Sequence, residues 1–119
     1  MKVFDQFEAT LLSQEGKISR IMCKSEKYTV SFDVHANYFS CKTGDKVSIC
    51  WVSDEEEYTP DDDVEYLMNG QVFYYDNGAN FACITFGGLV MKIEGNEEDM
   101  MPFSKKKMYL TCYLKNEDN

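Results

Sequence analysis

The sequence predicts an all-β fold, an antiparallel barrel of about eight short strands. Three observations carry that prediction. Apolar and polar residues alternate with period two along most of the chain. Glycine, asparagine and aspartate fall between the alternating runs, where turns need them. Aromatic residues, mostly Tyr and Phe, make up 14% of the chain, and such residues favour pleated, half-buried surfaces.

Each strand can be justified in order. Phe4 to Leu12 places Phe7, Ala9 and Leu11 on one side. Lys17 to Lys24 sets Ile18, Arg20 and Met22 against Ser19, Ile21 and Cys23, with neither face purely polar. Tyr28 to His35 is the clearest case. Tyr28, Val30, Phe32 and Val34 face one way, while Thr29, Ser31, Asp33 and His35 face the other. Lys46 to Val52 carries Val47, Ile49 and Trp51. Val64 to Tyr75 is long, and Gly70 in its middle suggests a bulge or bend. Asn80 to Phe86 and Leu89 to Ile93 follow. Lys107 to Leu114 sets Met108, Leu110, Cys112 and Leu114 against Tyr109, Thr111 and Tyr113. Helix signals are confined to one turn over Glu97 to Phe103, limited by Pro102. Asp76-Asn77-Gly78 suits a hairpin, and Gly87-Gly88 reads as a junction where two backbones approach closely. A chain of 119 residues fits one domain, spanning residues 1–119, with a core that needs no disulfide or metal.

Charge narrows the function classes. The net charge of −9 opposes autonomous binding to nucleic acid through phosphates, and suits docking on a basic partner. Seven of the eleven residues from Ser53 to Asp63 are acidic, so a flexible loop is expected at about 53–63. That block lacks the spaced carboxylates of a calcium loop. A polar tail is expected over 115–119. No secretory signal or membrane-spanning run is visible, which suggests the nucleus or cytosol. The five cysteines are spread at least nine positions apart, so zinc ligation is not indicated and free thiols are expected.

Catalytic constellations are not evident. His35, the sole histidine, lies on the polar face of its strand among Ser31 and Asp33, where a surface role is expected. Phosphate-binding glycine loops do not occur. No cofactor is expected. Lys105-Lys106-Lys107 is the one tight basic cluster; it reads as the guard of an edge strand, with a phosphate contact as the alternative. Tyr74, Tyr75, Phe81 and Phe86 have few basic neighbours, which favours core packing or protein contact over stacking on unpaired bases.

Two stretches are more specific. Tyr66, Met68, Gly70 and Phe73 form a Tyr-x-Met-x-Gly-x-x-aromatic strand. Phe86, Gly87, Gly88, Leu89, Met91, Lys92 and Ile93 form a Phe-Gly-Gly-Leu-x-Met-basic-aliphatic strand. Together they resemble the eighth subunit of the eukaryotic nuclear RNA polymerases, the small subunit shared by polymerases I, II and III. Phe4 to Phe7, Gly16-Lys17, Gly44-Asp45-Lys46 and Tyr109-Leu110 fall in the family's order. Asn69 departs from it, standing where an aromatic is usual, and the acidic loop is shorter.

The resemblance implies an eight-stranded Greek-key barrel related to the oligonucleotide-binding fold. It implies a non-catalytic common subunit in the nucleus, docked on the largest polymerase subunit and supporting assembly. Nucleic acid would be met only indirectly, through the complex, and membrane is not involved. The alternative is a free-standing single-strand nucleic-acid-binding barrel. Partner-contacting or partner-supporting residues would be Tyr66, Gly70, Phe86, Gly87, Gly88, Leu89, Met91 and Lys92. An incompletely closed barrel would also offer a strand edge for a partner strand to pair with.

Overall fold

The computed structural model of the protein describes residues 1–53 and 65–118. The flexible loop expected at about 53–63 falls almost wholly outside the described residues. The strands are β1 (Lys2–Glu15), β2 (Ile18–Lys24), β3 (Tyr28–His35), β4 (Lys46–Ser53), β5 (Tyr66–Asp76), β6 (Phe81–Phe86), β7 (Leu89–Gly95) and β8 (Tyr109–Asn116). Every strand expected from alternation is present. The expected tail begins later, because β8 continues through Lys115 and Asn116. Asn116 is buried, and its side-chain amide donates to Ser40 O (3.1 Å) and Asp45 Oδ2 (2.9 Å).

The strands close into one antiparallel ring in the order β1-β2-β3-β7-β6-β5-β8-β4, and β4 returns to β1. Each described strand therefore has two neighbours, which removes the open edge expected for strand addition. It also removes the edge-guarding role of Lys105–Lys107, since β8 pairs with β5 on one side and β4 on the other. Bulges adjust the curvature. The register shifts between Leu11 and Ser13 in β1, and between Val72 and Tyr74 in β5.

Alternation sends one face of every strand inward. β3 buries Tyr28, Val30, Phe32 and Val34. In β2, Ser19, Ile21 and Cys23 point inward, leaving Arg20 outside to pair with Asp33 at 2.9 Å. β4 is buried on both faces from Val47 to Ser53. Ser48 is half of a polar contact on its outer side, donating to Glu117 Oε1 at 2.7 Å. Cys50 lies between Phe4 of β1 and Tyr113 of β8.

Trp51 occupies the centre. Its ring meets Phe7, Tyr28 and Phe103 at centroid distances of 6.1, 6.1 and 5.5 Å. Two of these pairs are edge-on, the arrangement that aromatic quadrupoles favour. The indole N–H donates to the Met91 sulfur at 3.3 Å, so the buried donor is satisfied.

Both ends of the barrel are covered. At one end, helix α1 (Glu97–Met100) and a 3-10 turn (Met101–Phe103) bury Met100 and Phe103. Asn96 caps α1 by accepting from Asp99 N, and α1 stops before Pro102, which falls in the first positions of the tighter turn. The Tyr28 hydroxyl donates to Asp99 O at 2.9 Å, which ties this plug to β3. At the other end, the segment between β3 and β4 covers the barrel and buries its own Phe39 and Cys41. Asp45 holds that segment by accepting from Lys42 N, and these bonds keep its carboxyl below the usual range.

Two outcomes follow from this core. Trp51→Ala should destabilise the protein by about 3–5 kcal/mol in urea unfolding, because the cavity borders three rings and a thioether. Alkali should also destabilise it. Burial pushes the Cys23 thiol from 9.0 to about 12 and the Tyr28 phenol from 10.0 to about 12. The unfolded chain loses these protons first, so this stabilisation is complete below pH 9.0 and decays as pH rises toward about 12. Melting temperatures measured across that window should fall steadily, and Cys23→Ala should flatten the slope.

Candidate partner-binding surface

The residues singled out by sequence divide into an inner scaffold and an outer face. Gly70, Phe86 and Met91 belong to the scaffold. Met91 is fully buried against Trp51 and cannot touch a partner directly. Gly70 lies under the ring of Phe86. A Cβ at position 70 would stand 2.5 Å from both Phe86 Cδ1 and Thr85 O. The close approach expected at Gly87-Gly88 therefore occurs at Gly70 instead. Glycine there lets an aromatic side chain from β6 lie flat across β5, joining the two sequence motifs in space.

Gly87 and Gly88 have φ of 61° and 97°, and a Cβ at either would meet nothing. They form the two-residue turn of a hairpin that pairs Phe86 with Leu89. Successive positive φ values match the twist of the flanking strands, and glycine adopts them without strain. The β5–β6 connection solves the same problem differently. There Asp76 Oδ1 accepts from Gly78 N and Ala79 N, and the positive φ falls on Asn80 at 54°. Those two bonds lower the Asp76 carboxyl below its usual range.

Tyr66 and Leu89 are half-buried near the end of the barrel that carries the Gly-Gly turn. Tyr66 meets Tyr38 edge-on at 6.2 Å, and Tyr38 meets His35 at 5.9 Å. Burial, and then Tyr38, raise the Tyr66 phenol. His35 is thus part of an aromatic row, and among the described residues no cluster of three metal-ligating side chains occurs.

Lys92 is the one charged residue of the set, and it points outward. Its Nζ stands 4.5 Å from the Phe81 ring centroid and 3.3 Å from Glu94 Oε1. Phe81 in turn packs against Tyr74 at 5.6 Å. The Tyr74 hydroxyl donates to Asp76 Oδ2 at 3.2 Å, and the nearby carboxylate raises the phenol. Cys83 pairs with Lys92 across the strands; burial raises its thiol while Lys92 partly offsets the rise. Beside this row, Tyr109, Gln71, Thr85 and Val90 stand in register across β8, β5, β6 and β7. Phe73, at the β5 bulge, is 50% exposed. Asn69 accepts from Thr111 Oγ1 at 2.8 Å, so the departure at that position is absorbed by a surface hydrogen bond.

Of the outward aromatics Phe73, Tyr74, Phe81 and Tyr109, sequence reasoning left Tyr74 and Phe81 between core packing and protein contact and did not single out Phe73 or Tyr109 for contact. Phe73 lies within a recognised motif, and its neighbour Tyr74 cannot take the opposite face as alternation requires. The bulge turns both outward. Phe73, Tyr74, Val90 and Tyr109 are all more than 40% exposed, and Phe81 is half-buried among them.

A closed antiparallel ring of eight strands with a filled interior defines the chain's class as a small all-β barrel. A family model described as RNA polymerase Rpb8 matches residues 5–113, a span that contains both motifs. The chain belongs to the RNA polymerase Rpb8 family. It is 26% identical over 126 residues to the probable DNA-directed RNA polymerases I, II, and III subunit RPABC3 of Caenorhabditis elegans. That alignment covers 83% of this chain and 85% of the relative. Among solved structures, the cytoplasmic molybdate-binding protein ModG aligns over 95% of this chain and 89% of its own. Its identity of 12% and TM-score of 0.38 are too low to relate the two proteins.

The two glycine positions should respond differently to substitution. Gly70→Ala should cost roughly 1–3 kcal/mol through overpacking against Phe86 and Thr85. Gly88→Val should cost about 1–3 kcal/mol through backbone strain alone. Gly70→Ala with Phe86→Leu should recover part of the first loss in urea melts, whereas Phe86→Leu should not rescue Gly88→Val.

Proposed function

We propose that this chain is the common subunit of DNA-directed RNA polymerases I, II and III, without an active site of its own. The match to the Rpb8 family across residues 5–113 carries that reading. The RPABC3 relative, named for all three polymerases, supports the shared role. The chain works in the nucleus, where those enzymes act, and supports their assembly by docking on the largest subunit.

The contact face is the outer side of β5, β6 and β7. Phe73, Tyr74, Phe81 and Val90 supply apolar area, while Lys92 supplies charge at its rim. Docking by side chains replaces the strand addition that a closed ring does not allow. Gly70, Phe86, Gly87, Gly88 and Met91 support this face from beneath, by fixing the β5–β6 contact and the hairpin turn. Tyr66 and Leu89 mark its end. The barrel interior is filled by Trp51, Phe103 and their neighbours, which leaves the protein's outside to do the recognition.

Phe73→Asp combined with Lys92→Glu should leave the melting temperature near that of the wild type, since neither side chain is buried and the Lys92 contacts are at the surface. The same pair should reduce recovery of the largest polymerase subunit with the tagged chain by about tenfold, given the weight of central aromatic contacts. Undiminished recovery would place the contact on another face.

A further inference from the structure

The strongest feature that the proposed function leaves unused is a groove of about 600 Å³ at the plugged end of the barrel. It lies where β1, β4 and β8 meet the segment after the 3-10 turn. Met101, Pro102, Met108 and Tyr109 form its apolar lining. Met101 is 64% exposed and Tyr109 61%, so the lining is open to solvent. Lys105, Lys106 and Lys107 border it, and Lys2 stands on the β1 side.

Three consecutive lysines beside one groove stand out in a chain of net charge −9, which has only 12 basic residues. Mutual repulsion makes such a cluster unfavourable in isolation. Guarding a strand edge does not explain it, because β8 is paired on both sides. The segment is also firmly built. Lys107 N donates to Val72 O at 2.7 Å, Val72 N donates to Met108 O at 2.9 Å, and Gln71 Nε2 donates to Lys107 O at 3.1 Å. To satisfy these bonds, Lys107 takes the left-handed region, with φ of 63°. That conformation is costly for a residue with a side chain.

We propose that this groove binds an acidic, partly apolar peptide segment of a partner protein. The lysines pair with carboxylates along the segment, and its apolar side chains lie on the two methionines. Thioether side chains are polarizable and adapt to varied apolar partners. The charge of the groove is complementary to such a segment, whereas the overall acidity of the chain and the single aromatic lining residue disfavour a nucleic-acid strand. The groove adjoins the outer side of β5–β7 at Tyr109, but its lysines and methionines lie outside that face, and the proposal does not depend on polymerase membership.

Fluorescence anisotropy of the full chain tests the proposal. The probe is a labelled peptide of about twelve residues with alternating Glu and Leu, compared with oligo-dT of similar length. Saturable peptide binding should weaken with added salt. It should fall at least ~10-fold in a Lys105→Glu/Lys106→Glu variant and in Met101→Asp, and persist in Lys92→Glu. Each variant alters exposed side chains, and equal melting temperatures verify that it is folded. The proposal is overturned by no saturable binding at low salt, by stronger binding to oligo-dT, or by unchanged affinity in both groove variants. It is also overturned if neutralising the acidic residues of 54–63 raises peptide affinity ~10-fold, because the groove's occupant would then be the chain's own acidic run.

Discussion

Closure of the ring through β4 is the constraint on which the rest of the structure depends. β4 pairs with β1 along Lys46–Val52 and with β8 along Val47–Ser53, joining the first strand to the last. Because closure leaves no strand of the described chain unpaired, backbone hydrogen bonding is satisfied internally and edge association is removed. Trp51 makes the closure compatible with a filled interior. It projects from β4 into the core, reaches Phe7 on β1, Tyr28 on β3 and Met91 on β7, and contacts the plug through Phe103. One residue thus links half of the ring's eight strands and one of its covers, and a barrel of this size has little room for a bound small molecule besides.

The outer surface inherits its order from that interior. Phe86 lies over Gly70 because no side chain intervenes, and this sets how β6 crosses β5. Met91 is held by Trp51 on the inner face of β7, which puts Lys92, its neighbour in the chain, on the outer face beside Phe81. The bulge before Tyr74 breaks alternation in β5 and exposes two consecutive aromatics. The layout of this outer face is therefore a consequence of one glycine, one bulge and one buried sulfur contact.

Much of this was legible in the residues. Tyr28 to His35 alternates so cleanly that its inward face follows from the sequence, and the same holds for Val47, Ile49 and Trp51. The Gly-Gly turn was legible as a junction, but not the reason for its glycines, which is dihedral rather than steric. Pairing order was not legible from alternation. β3 meets β7 and β4 meets β1 across long stretches of chain, and alternation says which face is buried without saying which strand lies alongside. The burial of Ser48 and Cys50 on the outer side of β4 depends on that order too. So does the lysine groove, which assembles Lys2 and residues 101–109 from opposite ends of the sequence. The likeness of Tyr66–Phe73 and Phe86–Ile93 to a polymerase subunit was legible because those residues combine a steric requirement, a turn and a buried thioether in one short region.

Family membership makes the barrel a subunit of a transcription enzyme, and the proposed docking uses its exposed sheet face. Shared use by three enzymes requires one surface to meet three related partners, which a preformed sheet face achieves without rearrangement. The most direct test is quantitative mass spectrometry of complexes isolated from nuclear extract through this chain at its native level. The account predicts the largest subunits of RNA polymerases I, II and III together, with one copy of the chain for each copy of largest subunit. Recovery of the chain as a free protein, or in complexes containing none of the three, would contradict it.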